Sequence, residues 1–174
     1  TWFEQFGATR TVSIGAKVMI VNKIGEEFLV NTTTEGSQRF PSVTGLSDGG
    51  FVAIWEDISE IRGQAYNADG TARGDEFLVD ALNDSFTNLS VTGLSDGGFV
   101  ATWEDFSEIR GQAYNADGTA RGEEFLVNTT TRLSQDDPSV TGLSDGGFVA
   151  TWEDFSQTGG DTNSDAIRGQ TYNA

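Results

Sequence analysis

Apolar and polar side chains alternate along this chain in short runs, and the runs end at turn residues. In "FVAIWED" (51–57), Phe51, Ala53 and Trp55 share one face of an extended segment, while Val52 and Ile54 share the other. Apolar groups on both faces predict a sheet that is covered on both sides. "PSVTGL" (41–46) precedes this segment and "IRGQAYN" (61–67) follows it, each with strand character. "SDGG" joins the first two, and its Asp–Gly pair suits a tight hairpin turn with positive φ. Asp69–Gly70 supplies a second such turn, after which "DEFLVD" (75–80) closes a unit of four strands. No segment sustains a 3.6-residue apolar period, and the 22 glycines weigh further against helix.

The unit recurs. "GLSDGGFVATWEDFS" stands at 93–107 and again at 142–156, and at 45–59 with Ile54 and Ile58 as the only changes. The strand Trp falls at 55, 103 and 152, spacings of 48 and 49. The "IRGQ" Arg falls at 62, 110 and 168; its second spacing is 58, because "QTGGDTNSDA" is inserted as a loop in the third repeat. A four-stranded antiparallel meander of about 48 residues, buried on both faces and repeated, predicts a β-propeller-like array. A β-trefoil, which also uses three four-stranded repeats, is the alternative. Residues 1–24 are expected to form an N-terminal partial or degenerate unit, and 25–174 a three-repeat β domain. By the phase of the repeat, the strand at 25–31 ("GEEFLVN") completes the last repeat by pairing with "IRGQTYN" at 167–173. That pairing is expected within one chain or between two, the latter giving a homodimer or a filament.

Composition narrows the partners. Lys and Arg total 10 against 27 Asp and Glu, a net charge of −17, which repels nucleic acid and anionic membranes. No apolar run is long enough for a membrane-spanning helix, so no membrane insertion is expected. The opening "TWFEQFGATR" lacks the layout of a signal peptide. With no Cys and no His, disulfides, thiolate chemistry and the commonest general base are absent. Paired carboxylates for glycoside hydrolysis must face each other across a substrate, whereas Glu56 and Asp57 are strand neighbours pointing to opposite faces. No enzyme is expected.

The unit "PSVTGLSDGGFVAxWED…IRGQAYNADGTARGxEFLVN" resembles a tandem repeat of very large secreted bacterial proteins of the RTX and adhesin type. The resemblance covers residues 25–174 and implies export by a type I secretion route to the cell surface or beyond it. The glycine–aspartate nonapeptides of RTX proteins are missing here, so calcium binding by that motif is not implied. "SDGGFVATW" has a fainter likeness to the sialidase Asp-box, with an Asp-to-Trp spacing of seven in place of five.

Two constellations carry chemistry. Trp55, Trp103 and Trp152 are followed by Glu56, Glu104 and Glu153, with Arg62, Arg110 and Arg168 on the next strand. An indole that covers sugar C–H faces, beside charges that bond hydroxyls, suits multivalent binding of glycans or cell-surface polysaccharide. The bland reading makes Trp core and Arg a pairing partner for Glu. In the insertion, Asp161, Asn163 and Asp165 stand at alternate positions, the opening spacing of a Ca²⁺ loop. Ala166 replaces the usual Gly and no Glu stands at the twelfth position, so a solvated loop is the alternative. The expectation is a secreted or cell-surface binding and adhesion module, against a structural, self-associating repeat module of a larger surface protein or filament.

Overall fold

The computed structural model describes residues 25–81 and 88–173. The partial unit expected at 1–24 lies outside the described residues. Eleven strands are ordered along the described chain: β1 (Gln38–Gly45), β2 (Phe51–Asp57), β3 (Glu60–Tyr66), β4 (Ala72–Ala81), β5 (Leu89–Gly93), β6 (Phe99–Asp105), β7 (Glu108–Tyr114), β8 (Ala120–Leu126), β9 (Gln135–Gly142), β10 (Phe148–Asp154) and β11 (Ala166–Tyr172). They form three antiparallel meanders, β1-β2-β3-β4, β5-β6-β7-β8 and β9-β10-β11, here called the first, second and third sheets. The fold is all-β, with no helix among the described residues. No backbone ladder joins a strand of one sheet to a strand of another among the described residues, and no closed barrel is formed by them.

The Asp–Gly turns explain why the meander repeats so faithfully. Ser47-Asp48-Gly49 is a three-residue loop closed by Leu46 N–H to Gly50 O at 2.8 Å, with Gly49 at φ +90°. Gly97 and Gly146 repeat this at +100° and +99°, a conformation in which a Cβ is strained. The second glycine serves a different end. A Cβ on Gly50 would stand 2.4 Å from the carbonyl oxygen of Tyr66, so the two backbones meet only if the side chain is absent.

The sheets stack face to back. Val52 and Ile54 of β2, with Ile61 and Ala65 of β3, pack on Phe99, Ala101, Trp103 and Tyr114 of the second sheet. Val100 and Ile109 of the second sheet meet Phe148, Ala150 and Trp152 of the third in the same way. The two faces read from "FVAIWED" therefore have separate partners: the Val face looks forward and the Trp face looks back. First strands sit side by side along the stack. Gly93 N–H donates to Thr44 Oγ1 at 3.0 Å and Gly142 N–H to Thr92 Oγ1 at 2.8 Å. A Cβ on Gly93 would lie 2.2 Å from Gly45 O, and one on Gly142 2.4 Å from Gly93 O. This accounts for the repeated "VTG".

Each boundary also carries an aromatic triad. Phe99 and Tyr114 stack at 4.9 Å, and Phe77 from the fourth strand of the first sheet closes over them at 6.0 and 5.6 Å. Phe125 closes over Phe148 and Tyr172 at 6.1 and 5.7 Å. Phe28 closes over Phe51 and Tyr66 at 6.4 and 5.7 Å, so residues 25–31 lie on the back of the first sheet. They do not pair with β11 inside the chain, because β11 bonds to β10 alone among the described residues. The within-chain form of the expected pairing is thus not what the fold adopts: 25–31 occupies the place that a fourth strand of a preceding sheet would take.

Candidate functional site

The strand register brings each Trp opposite its Arg. Trp55 pairs with Arg62, Trp103 with Arg110 and Trp152 with Arg168, so both side chains share the backward face. The Glu of each trio is on the other face, because successive strand residues alternate. Glu56, Glu104 and Glu153 stand opposite Ile61, Ile109 and Ile167. The structure therefore assembles Trp with Arg and leaves Glu out. The carboxylates that do meet the guanidinium are Asp57, Glu60 and Glu76 on Arg62, at 3.3, 2.6 and 3.9 Å, and Asp105, Glu108 and Glu124 on Arg110, at 3.6, 3.0 and 3.6 Å. The signal for the aspartates was present in the strand period, since Asp57 and Asp105 each follow their Trp by two.

Arg168 differs from its counterparts. Its guanidinium bonds the Asp154 carboxylate and the Thr158 carbonyl oxygen, which ties the insertion of the third repeat to the end of β10. Burial pushes the Asp154 carboxyl up, but its bonds from Arg168 and Ser156 outweigh this and hold it below the usual range.

The indoles are enclosed: Trp55, Trp103 and Trp152 are only 4%, 1% and 5% exposed. Trp103 Nε1 donates to Asp80 Oδ2 at 3.0 Å, and Asp80 belongs to β4 of the preceding sheet. Burial pushes the Asp80 carboxyl up against its bonds from Ala81 N–H and Trp103. Asn31 and Asn128 fill the Asp80 position of the other copies, and among the described residues neither Trp55 Nε1 nor Trp152 Nε1, both buried atoms, has a hydrogen-bond partner. Trp55 lines an open groove of about 470 Å³ on the back of the first sheet, with Val30, Pro41, Val43, Phe51 and Ala53.

The glutamates take three different environments. Glu56 is buried, with Oε1 accepting from Arg39 at 2.8 Å and Oε2 without a hydrogen-bond partner among the described residues. Glu104 faces β9; burial chiefly, then the negative charges of Asp136 and Asp137, push its carboxyl up to about 7. Glu153 is half-buried on the forward face of the third sheet.

Asp161, Asn163 and Asp165 are exposed in the insertion, and Asp161 Oδ1 accepts from the backbone N–H of Asn163 at 3.1 Å. That bond is the signature of an Asx turn. No group of three or more Asp, Glu, His or Cys is placed to hold a metal ion among the described residues.

No protein-family model matches the sequence, and no curated protein matches it.

Proposed function

We propose that this chain is a structural repeat module of a larger cell-surface or extracellular protein or filament, built as a propeller-like array of stacked sheets. One observation carries the reading: the Trp103–Arg110 and Trp152–Arg168 pairs lie at the two boundaries between sheets, with Trp103 bonded to Asp80 of the sheet before it. The triplicate sequence then encodes one boundary used again and again. It supplies a ring face to pack, an arginine to bond the strand ends, and a glycine–threonine seam where first strands meet. The resemblance to repeats of secreted RTX and adhesin-type proteins agrees with a role in building long surface proteins. The experiment is a titration of a broad panel of glycans, following tryptophan fluorescence and heat release. The structural reading expects no saturable response. A saturable shift that disappears in Trp103→Phe would replace it with the lectin reading.

Carbohydrate binding keeps one specific foothold, the apolar groove lined by Trp55, Phe51, Pro41 and Val43 on the back of the first sheet. On that reading one site per chain binds sugar, in place of one per repeat. Trp55→Phe would abolish the response while Trp103→Phe and Trp152→Phe would not.

A further inference from the structure

Asp–Gly and Asn–Ser steps are places where a polypeptide changes covalently without an enzyme. In an Asp–Gly step the glycine nitrogen attacks the aspartyl Cγ, water leaves, and a succinimide forms. Water then reopens the ring as aspartate or isoaspartate. An Asn–Ser step follows the same course with loss of ammonia. Both reactions need the following backbone nitrogen free and the side chain able to swing onto it, and the small Gly or Ser leaves that nitrogen uncrowded. This chain holds five Asp–Gly steps, at Asp48, Asp69, Asp96, Asp117 and Asp145, and an Asn–Ser step at Asn163.

Each Asp–Gly step is fastened at both reacting groups. The glycine N–H donates to the carbonyl oxygen three residues back: Gly49 to Leu46, Gly70 to Asn67, Gly97 to Leu94, Gly118 to Asn115 and Gly146 to Leu143, at 3.0–3.2 Å. The carboxylates are held in turn. Oδ1 of Asp48, Asp96 and Asp145 accepts from the N–H two residues on, at 2.9, 3.1 and 3.1 Å. Asp69 and Asp117 accept from both the N–H and the hydroxyl of Thr71 and Thr119, the hydroxyls at 2.6 Å. Bonds from Arg73 and Arg121 hold the Asp48 and Asp96 carboxyls below the usual range, and bonds from Thr71 and Thr119 do the same for Asp69 and Asp117. An ionised carboxylate is the poorer electrophile, so charge and geometry act together.

The Asn–Ser step is the converse. Asn163 and Ser164 are exposed in the insertion of the third repeat. Among the described residues the Asn163 side-chain amide makes no hydrogen bond, and the Ser164 N–H has no acceptor. The bond from Asn163 N–H to Asp161 fixes the backbone just before the reacting step and leaves the step itself open. Asparagines of the repeat body are held instead: Asn67 and Asn115 donate to the Thr71 and Thr119 hydroxyls, and Asn128 is buried between Thr130 and Gln135. We propose that Asn163 is a deamidation site of the folded chain, while the hairpins protect all five Asp–Gly steps from isomerisation. The Ser164 nitrogen displaces ammonia from Asn163 Cγ, and water opens the ring at either carbonyl. The net change is hydrolysis of one amide to a carboxylate, aspartyl or isoaspartyl. It adds one negative charge to a chain that already carries −17, between Asp161 and Asp165.

The test incubates the whole chain at neutral pH, folded in buffer and unfolded in guanidinium, and follows each step by peptide mapping with mass spectrometry. Deamidation is read from the mass gain of amide to acid, and isomerisation, which leaves the mass unchanged, from the retention shift of the isoaspartyl peptide. Folding is expected to slow each Asp–Gly step at least tenfold, because reaction must wait for the turn to open. The Asn163 rate is expected to change less than threefold between the two conditions. Asn163→Gln is expected to remove the mass gain from that peptide, since closing a six-membered ring is far slower. Slowing of Asn163 by threefold or more on folding would show that the loop holds the step closed, and the site would fall. An Asp–Gly step that converts as fast folded as unfolded would overturn the protection. Persistence of the gain in Asn163→Gln would place the deamidation elsewhere.

Discussion

The indole N–H of Trp103 donates to the Asp80 carboxylate at 3.0 Å, across the boundary between the first and second sheets. The bond is more than local packing, because it joins a second strand to the fourth strand of the sheet before it. Removing the acceptor strands a buried donor, which costs about 1–3 kcal/mol. Asp80→Ala is therefore expected to lower stability by that amount in urea unfolding. Asp80→Asn keeps an acceptor and is expected to cost much less. Equal losses for the two variants would show that the carboxylate charge matters, not the bond.

The paired glycines of the first hairpin are expected to fail for different reasons. Gly97→Val places a branched side chain at φ +100° and is expected to cost about 1–2 kcal/mol. Gly98→Ala brings a Cβ to 2.5 Å from Tyr114 O, so the carbonyl must move; the expected cost is about 1–3 kcal/mol. Thermal or urea denaturation of each variant reads both numbers. A neutral Gly98→Ala would show that the strand ends yield freely.

Glu104 gives the fold a pH dependence of definite sign. Its folded carboxyl holds a proton up to about pH 7, against 4.5 for the ordinary value, so between those values the folded state binds more protons. Stability then falls as pH rises from about 4.5 to 7, and this contribution is flat above that. Glu104→Gln is expected to remove the slope and to stabilise the chain at pH 8 by about 1–2 kcal/mol, after allowing for solvent around a half-buried group. Parallel stability–pH curves for the two proteins would contradict the assignment.

The insertion in the third repeat offers a direct test of the calcium reading. If Asp161, Asn163 and Asp165 hold Ca²⁺, the ion at about 100 times its dissociation constant raises stability by about 2.7 kcal/mol. Melting curves in millimolar Ca²⁺ and in excess chelator read this. Coincident curves make the segment a solvated loop, held by the Asx turn at Asp161 and by the bond from Arg168 to the Thr158 carbonyl oxygen.

Most of the fold was legible in the chain itself. Phe51, Ala53 and Trp55 against Val52 and Ile54 announced two buried faces, and Asp48–Gly49 announced the hairpin, because both depend only on local geometry. The site was legible in part. Pairing of Trp55 with Arg62 follows from the hairpin register, and the period of two places Asp57, not Glu56, beside them. Enclosure of the indoles was not legible, since it depends on how one sheet seats on the next. The bond from Trp103 to Asp80 spans 23 residues and two sheets, with no local mark beyond an Asp where other copies have Asn. Arg168 was unreadable for a similar reason: its partner Thr158 lies in the insertion, which has no counterpart in the other repeats.

At the centre of this account is one boundary, used twice within the chain, and the proposal that a repeat module built on it self-associates. The most direct measurement is the mass of the unmodified chain by sedimentation equilibrium, from micromolar to millimolar concentration at low and high salt. The account predicts species at multiples of 18.7 kDa that grow with concentration and with salt. A mass fixed at 18.7 kDa throughout would contradict it.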